Sequence, residues 1–200
     1  MLLHVQDAAL LPLVSRIIVA AGWAWFTVFF VFRLARGGNP GVKRERVSSL
    51  GIALQMLAFA LVWMLQRPLP RAGTPLAALE IARDVLAPVF GLASVWFGLS
   101  AVRTLGKQWS YEARVIEGHE LVTSGPYAWV RHPIYTAMLG KLLASNFAFG
   151  AWLGLPIAGT VLVVGTLIRI GAEEKLLRAT FGAAYDEYAR RVPAFVPGLR

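Results

Sequence analysis

The stretch "SGPYAWVRHPIYTAMLG", residues 124–140, joins a polar segment of the chain to an apolar one. Its Gly125–Pro126 pair predicts a turn, because glycine and proline together interrupt helices and strands. Pro133 has no backbone N–H and a fixed φ, which suits the first turn of a helix. A helix is therefore expected to begin near Pro133, with His132 at its N-cap.

Arg131 lies directly before that cap. The first amides of a helix are unpaired and carry partial positive charge, so together with Arg131 they suit a carboxylate or a phosphate. Two interpretations are open. The Arg131–His132 pair either holds lipid headgroups at a membrane interface or forms a binding corner for an anionic ligand.

Composition indicates a membrane protein. The chain has 200 residues, of which 57% are hydrophobic and 16% charged, whereas soluble domains contain about 25% charged residues. In so apolar a chain, the net charge of +9 favours a membrane face with anionic lipids over nucleic acid. The absence of cysteine excludes disulfides and thiolate chemistry, and the scattered histidines predict no metal site.

Apolar runs of about 20 residues predict membrane-spanning helices. We expect a single all-α domain over residues 1–200, a polytopic membrane protein with about five transmembrane helices. The predicted spans are 11–32, 49–65, 85–102, 134–149 and 152–168. Little more than Gly150 and Ala151 separates the last two, which predicts a tight helical hairpin.

Basic residues orient these helices, because cytoplasmic connections carry an excess of Lys and Arg. The first connection, the third connection and the tail are rich in them, and the hairpin tip has none. The N-terminus is therefore predicted outside and the C-terminus in the cytoplasm. The second connection weakens this bias, since it holds Arg67, Arg71 and Arg83, offset in part by Glu80 and Asp84.

Two polar segments share the predicted cytoplasmic face, the connection 103–133 and the tail 169–200. Apolar residues in the tail recur at every third or fourth position, which predicts one amphipathic helix that ends at Pro193. Glu173 lies on the apolar stripe of that helix and needs a partner. The partner is either a neighbouring arginine or a cationic ligand.

Lys141 lies roughly two turns inside the fourth span. An ionisable residue at this depth indicates a functional site by default. The other interpretation is that the long side chain bends back to the interface.

Three motifs in one order resemble the isoprenylcysteine carboxyl methyltransferase (ICMT) family of integral membrane methyltransferases. They are LGKQWS, HELVTSGPYAWVRHPIY and RIGAEEKLLRATFGAAYDEYARRVPAFVP, and they lie within residues 105–197. The resemblance implies a transferase that binds S-adenosyl-L-methionine at the cytoplasmic membrane face. It implies a cofactor pocket made of segments 105–135 and 169–197, with S-adenosyl-L-homocysteine as product.

By position, the family's cofactor contacts fall on one set of residues: His119, Leu121, Val122, Gly125, Pro126, Tyr127, Arg131, His132, Tyr135, Glu173 and Glu174. The first three would contact the adenosyl part, and the turn residues would shape the pocket around it. Arg131, His132 and Tyr135 would hold the methionine part, and one glutamate would bind its amino group. Helical phase favours Glu173 as that glutamate. The implied catalytic residues are Arg131, Glu173 and Arg191, of which Arg191 would meet an anionic group on the acceptor.

The implied acceptor is lipophilic and enters from the bilayer. Methyl transfer from a sulfonium depends mainly on positioning, and a carboxylate acceptor needs no general base. The sequence shows no dedicated base, so isoprenylcysteine carboxyl O-methylation in a bacterial inner membrane is the favoured interpretation. The alternatives are a phospholipid N-methyltransferase, an NADPH-dependent enzyme like the sterol reductases, and a non-enzymatic lipid-binding membrane protein.

Overall fold

The computed structural model describes residues 3–35, 43–44, 47–68, 78–106, 114–115, 120–196 and 198. Most of them are helical, which confirms the all-α prediction. The helices are α1 Leu3–Ala35, α2 Val47–Met64, α3 Ala78–Leu105, α4 Pro133–Phe149, α5 Gly154–Phe181 and α6 Ala183–Arg191. A short 3-10 helix, Gly125–Ala128, precedes α4, and two strands, β1 Lys43–Arg44 and β2 Arg114–Val115, pair antiparallel.

Among the described residues, three helical segments are long and apolar enough to cross a membrane: Leu10–Phe29, Ala78–Leu105 and Gly154–Phe181. The α2 segment Ser49–Met64 is apolar but shorter, and α4 has 17 residues. Each of the five predicted apolar runs thus lies in a long helix. These helices make the chain an integral membrane protein.

The long helices pack closely in pairs, with α3 along α4 and α1, and α2 along α5. A Cβ atom added to Gly98 would lie 3.2 Å from the Cβ of Ala137, and one added to Gly165 would lie 2.9 Å from the carbonyl oxygen of Gly51. Small residues at such contacts let helix backbones approach, which favours association where lipid replaces water. One buried core cluster consists of Ala58, Phe59, Val62, Leu142, Ala158 and Leu162.

Backbone hydrogen bonds join the connections at both ends of the bundle. At one end, β1 in the first connection pairs with β2 in the third. At the other end, the Arg67 amide donates to the Phe149 carbonyl and the Ala151 amide to the Leu65 carbonyl, both at 2.7 Å. The chain therefore alternates between two ends, as the order of the predicted spans requires. We call them the corner end, where α4 begins, and the hairpin end, where α4 turns into α5.

Three arginines at the hairpin end donate to the last carbonyl groups of α4. Carbonyls at a helix C-terminus carry partial negative charge, so cations stabilise them. The hydrogen bonds run from Arg16 to Ala148 (3.0 Å), from Arg67 to Phe147 (3.1 Å), and from Arg83 to Asn146 (2.9 Å) and Gly150.

Two acidic residues complete this arrangement. Arg67 pairs with Glu80 and, at 2.6 Å, with Asp84, and Arg83 lies 3.5 Å from Glu80. We call Arg16, Arg67, Glu80, Arg83 and Asp84 the hairpin clamp. Arg83 and Asp84 are almost fully buried. The offset of positive charge that the sequence predicts for the second connection is therefore present as direct ion pairs.

The tail differs from its prediction. Instead of ending near residue 168, α5 continues to Phe181, and α6 begins after Gly182, which has a φ of +51°. Residues 172–181 are mostly good helix formers without proline, so nothing ends the helix before Gly182 adopts the left-handed conformation that favours glycine. The prediction of one amphipathic helix over the tail is wrong, because the tail contains the end of α5 and a separate α6.

Candidate functional site

The turn before α4 has the form that Gly125 and Pro126 predict. Gly125 has a φ of +59°, and a Cβ atom there would lie 3.1 Å from Thr104 Oγ1, so a larger residue would be strained. Pro126 and Tyr127 are buried. The hydroxyl of Tyr188, on α6, donates to the carbonyl oxygen of Tyr127 at 2.7 Å. This hydrogen bond fixes the turn to the tail.

The tail also binds the start of α4 through its backbone. The amides of Arg131 and His132 donate to the carbonyls of Pro193 and Ala194, both at 2.8 Å. His132 is the N-cap and Pro133 the first residue of α4, as predicted. The segment that follows α6 therefore lies directly against the start of α4.

The guanidinium of Arg131 binds α5 and α6 at the same time. Its Nε and Nη2 donate to Glu174 Oε1 at 3.1 and 2.6 Å. Its Nη1 donates to the carbonyls of Ala189, at 2.9 Å, and Val192. These carbonyls lie at the C-terminal end of α6, where partial negative charge favours a cation. Arg131 thus joins a carboxylate to a helix end through a planar fork of donors.

His132 lies between two carboxylates. Its Nδ1 is 3.2 Å from Glu173 Oε2, and its Nε2 is 3.4 Å from Glu174 Oε1. The hydroxyl of Tyr135 donates to Glu173, and Arg169 Nη2 lies 3.6 Å from the same carboxylate. Glu173 is therefore partnered within the protein. We call these residues the corner cluster: Arg131, His132, Tyr135, Arg169, Glu173 and Glu174.

The two carboxylates determine the charge of His132. Burial lowers the pKa of His132, but hydrogen bonds to Glu173 and Glu174 and their negative charges outweigh burial, so its pKa lies above the ordinary value. Burial also raises the pKa of Tyr127, and the charge of Glu173 adds to this effect, so Tyr127 stays neutral. With His132 protonated, the corner cluster holds cations and carboxylates side by side.

Both glutamates face the corner cluster, although helical phase favours Glu173 alone. The side chain of Glu173 points to α4 and is 25% exposed, while that of Glu174 is 10% exposed. Glu174 also pairs with Arg178 at 3.1 Å. The expectation of one inward glutamate is wrong because different partners surround α5 here: Tyr135 binds Glu173, and Arg131 binds Glu174.

The other predicted site residues divide into three groups. Leu121 and Val122 are half-buried in the irregular segment that leads into the turn, and His119 lies outside the described residues. Arg191 is separate from the corner cluster, since its side chain is 71% exposed and lies 3.4 Å from Glu187 on the same helix. The remaining predicted residues belong to the turn or to the corner cluster.

Sequence reasoning missed the part that the tail backbone plays. The carbonyls of Ala189 and Val192 hold Arg131, and those of Pro193 and Ala194 hold the start of α4. A signal was available, because a helix that ends before Val-Pro leaves carbonyl groups for which an arginine is a suitable donor. Nothing in the sequence spacing links those carbonyls to Arg131.

Lys141 does not bend back to the interface. Its side chain is 5% exposed, and its Nζ lies 4.1 Å from the ring centroid of Trp23 and 3.6 Å from that of Phe26. Both aromatic rings belong to α1, which covers this face of α4. The interpretation of Lys141 as an interfacial side chain is therefore wrong.

Comparison with known proteins agrees with the motifs. The sequence model of the isoprenylcysteine carboxyl methyltransferase (ICMT) family matches residues 88–179. That range contains α4, most of α5 and the entire corner cluster.

Two relatives carry the name protein-S-isoprenylcysteine O-methyltransferase. The one from Schizosaccharomyces pombe is 35% identical over 79 residues, which cover 40% of this chain and 34% of that protein. The one from Homo sapiens is 33% identical over 131 residues, which cover 60% of this chain and 45% of that protein. The cobalt-zinc-cadmium resistance protein CzcN of Cupriavidus metallidurans is 38% identical over 107 residues, which cover 50% of this chain and 46% of that protein. The chain thus spans less than half the length of each of these relatives. Residues 88–179, which contain the corner cluster, are similar to the ICMT family.

Proposed function

We propose that this protein is an S-adenosyl-L-methionine-dependent methyltransferase of the isoprenylcysteine carboxyl O-methyltransferase type, acting on a lipophilic acceptor at the cytoplasmic membrane face. One observation carries the proposal. Residues that the family resemblance assigns to the cofactor lie far apart in the chain, yet they meet in the corner cluster. The names of the S. pombe and human relatives support the reaction class.

The donor set of the corner cluster fits the amino-acid part of the cofactor. That part carries an ammonium and a carboxylate, and the cluster offers carboxylates and cations in close proximity. Glu173 is the better candidate for the ammonium, because its side chain is 25% exposed and that of Glu174 is 10% exposed. The imidazole of His132 is the candidate for the carboxylate. When bound, S-adenosyl-L-methionine would supply a methyl group already activated by its sulfonium.

The protein's part in this proposal is to hold and orient. Arg131 uses its donors on Glu174 and on the α6 carbonyls, so we assign it the role of fixing the tail against α4. Tyr135 orients Glu173 by donating to its carboxylate. Arg191 lies outside the corner cluster, and we keep it only as a contact for an anionic group on the acceptor. Positioning of this kind can account for a large share of a methyl-transfer rate.

The acceptor is proposed to reach the corner end from the bilayer. Trp96 and Trp129 are both 62% exposed, and the ring of Trp129 stacks on that of Phe97 at 6.2 Å. Exposed tryptophans are typical of the membrane–water interface. A carboxylate on a prenylated thioether suits a site with no additional base. We keep phosphatidylethanolamine as the second acceptor for the test.

Cofactor binding gives the first test. The full chain, purified in a nonionic detergent, is titrated calorimetrically with S-adenosyl-L-homocysteine and, separately, with NADPH. We expect binding of the first and none of the second. Glu173→Gln should weaken that binding, whereas Glu187→Gln, at a side chain that is 60% exposed, should leave it unchanged. Binding of NADPH alone would favour a reductase, and binding of neither would favour a non-enzymatic protein.

Product identification gives the second test. Membranes that contain the protein receive methyl-labelled cofactor together with a prenylated cysteine or phosphatidylethanolamine. We expect a labelled methyl ester, which mild base hydrolyses. A base-stable label on the phospholipid amine would show that the protein methylates nitrogen rather than oxygen. It would leave the proposed cofactor unchanged.

A further inference from the structure

A buried lysine amine lies inside the helical bundle, away from the corner cluster. The Lys141 side chain is 5% exposed, and its Nζ has no hydrogen-bond partner among the described residues. The rings of Trp23 and Phe26 lie over it and stabilise the cation in part. A buried charge without acceptors nevertheless remains unfavourable, because it has lost its water. In a membrane helix, such a residue indicates a site whose counter-ion comes from elsewhere.

Lys141 lines a small cavity between α1, α3 and α4. The walls are otherwise apolar or small, with Phe26 from α1, Val95 and Gly98 from α3, and Ala137 from α4. Phe26 and Val95 are only half-buried, so the cavity borders the outer, lipid-facing surface of the bundle. Gly98 and Ala137 allow α3 and α4 to approach closely at this wall of the cavity.

The cavity is distinct from the corner cluster. Lys141 lies about 9 Å further along α4 than Tyr135 and roughly 120° around the helix from it. Ile134, Ala137 and Lys141 recur at helical spacing and line the cavity together. Tyr135 instead points to Glu173 on α5. The two groups therefore lie on different faces of α4.

We propose that this cavity binds the carboxylate of a single-chain amphiphile from the membrane, with Lys141 as its counter-ion. A carboxylate supplies the hydrogen-bond acceptors that the Lys141 amine lacks. The alkyl chain would leave past Phe26 and Val95 into the hydrocarbon, where it remains solvated. A site of this kind is independent of the cofactor proposed for the corner cluster.

Binding of radiolabelled dodecanoate to the full chain in nonionic detergent tests the proposal. Three competitors each change one feature of dodecanoate. Dodecanol lacks the negative charge, dodecyltrimethylammonium carries a positive charge instead, and acetate lacks the alkyl chain. We expect unlabelled dodecanoate to displace the label at least tenfold more effectively than any of them. Equal displacement by dodecanol would show that the charge is irrelevant, and equal displacement by acetate would show the same for the chain. Either result would overturn the proposal.

Variants locate the site. Lys141→Met keeps a long apolar side chain and is expected to weaken dodecanoate binding at least tenfold. Lys175→Met makes the same change at an exposed lysine of α5 and should bind like the unmodified protein. Unchanged binding by Lys141→Met would overturn the proposal. If Lys141→Met does not fold, the competitor series on the unmodified protein still decides the question.

Discussion

At the scale of single residues, Arg131 depends on the shape of its side chain as much as on its charge. Its fork reaches Glu174 and two α6 carbonyls at once, which a lysine ammonium cannot reproduce. We expect Arg131→Lys and Arg131→Ala to weaken binding of S-adenosyl-L-homocysteine by about tenfold or more, since hydrogen bonds to charged groups contribute about 1.5–3 kcal/mol. Calorimetry measures this, with the exposed Arg190→Lys as control. Near-normal affinity in both Arg131→Ala and Glu173→Ala would remove the site assignment.

His132 gives the corner cluster a dependence on pH. Its folded-state pKa is raised above the ordinary value of about 6.5. A group of this kind stabilises the fold fully below its unfolded pKa, and the contribution is lost as the pH rises through the folded pKa. We therefore expect the difference in melting temperature between the unmodified protein and His132→Asn to be largest below about pH 6.5 and to decrease as the pH rises. A difference that grows with pH would contradict the paired imidazolium.

Residue identities in the corner could be predicted, but their partners could not. Gly125, Pro133 and the N-cap His132 follow from local backbone chemistry, and the structure shows each as predicted. The hydrogen bonds of Arg131 join residues 43 to 61 positions apart. Such contacts depend on how helices pack, which local spacing does not encode. The sequence leaves the position of the Lys141 side chain open for the same reason, because only the packing of α1 decides whether it can reach water.

At the scale of helices, Gly182 determines where α5 ends and α6 begins. It has a φ of +51°, and an added Cβ would meet nothing within 4 Å. Gly182→Ala should therefore destabilise the protein by backbone strain alone, by about 1–2 kcal/mol. Gly159→Ala, inside α5 with equally open space, should be neutral or stabilise by up to about 1 kcal/mol. Thermal unfolding in detergent compares the pair, and equal effects would show that strain at Gly182 is not the cause.

The positions of the long helices were predictable, whereas their lengths were not. Apolar runs placed all five, because burial in lipid requires them. The charged segment before the third run reads as a connection, yet α3 begins at Ala78 and includes Arg83 and Asp84. Arg83 can be buried because it donates to carbonyls at the C-terminal end of α4. Asp84 can be buried because it pairs with Arg67. A helix boundary drawn from composition excludes such charged residues, because composition carries no information about partners on another helix.

At the scale of the whole molecule, the arginines of the hairpin end are paired within the protein. The hairpin clamp uses its arginines on α4 carbonyls, Glu80 and Asp84. The positive side chains of the hairpin clamp therefore have partners within the protein. This removes most of the ambiguity that the second connection brings to the proposed orientation, because only unpaired basic residues remain to interact with anionic lipids.

The hairpin clamp is expected to stabilise the molecule much more than a surface ion pair does. Asp84 has a fully buried side chain next to Arg67, and removing one partner of a buried pair costs about 3–5 kcal/mol. The pair of Asp186 with Arg178 has side chains that are 51% and 48% exposed, for which about 0–1 kcal/mol is usual. Thermal unfolding of Asp84→Ala and Asp186→Ala compares them. A similar loss in both variants would show that the hairpin clamp is dispensable.

The hydrogen bond from Arg131 to the Val192 carbonyl spans 61 residues, which has a consequence for biosynthesis. A ribosome releases the start of α4 well before the residues that follow α6. Until those residues emerge, Arg131 and His132 lack the tail carbonyls as partners. A nascent chain can therefore have most of its helices in the bilayer and still lack the corner cluster. Binding of the proposed cofactor would then be confined to chains whose synthesis has passed the tail.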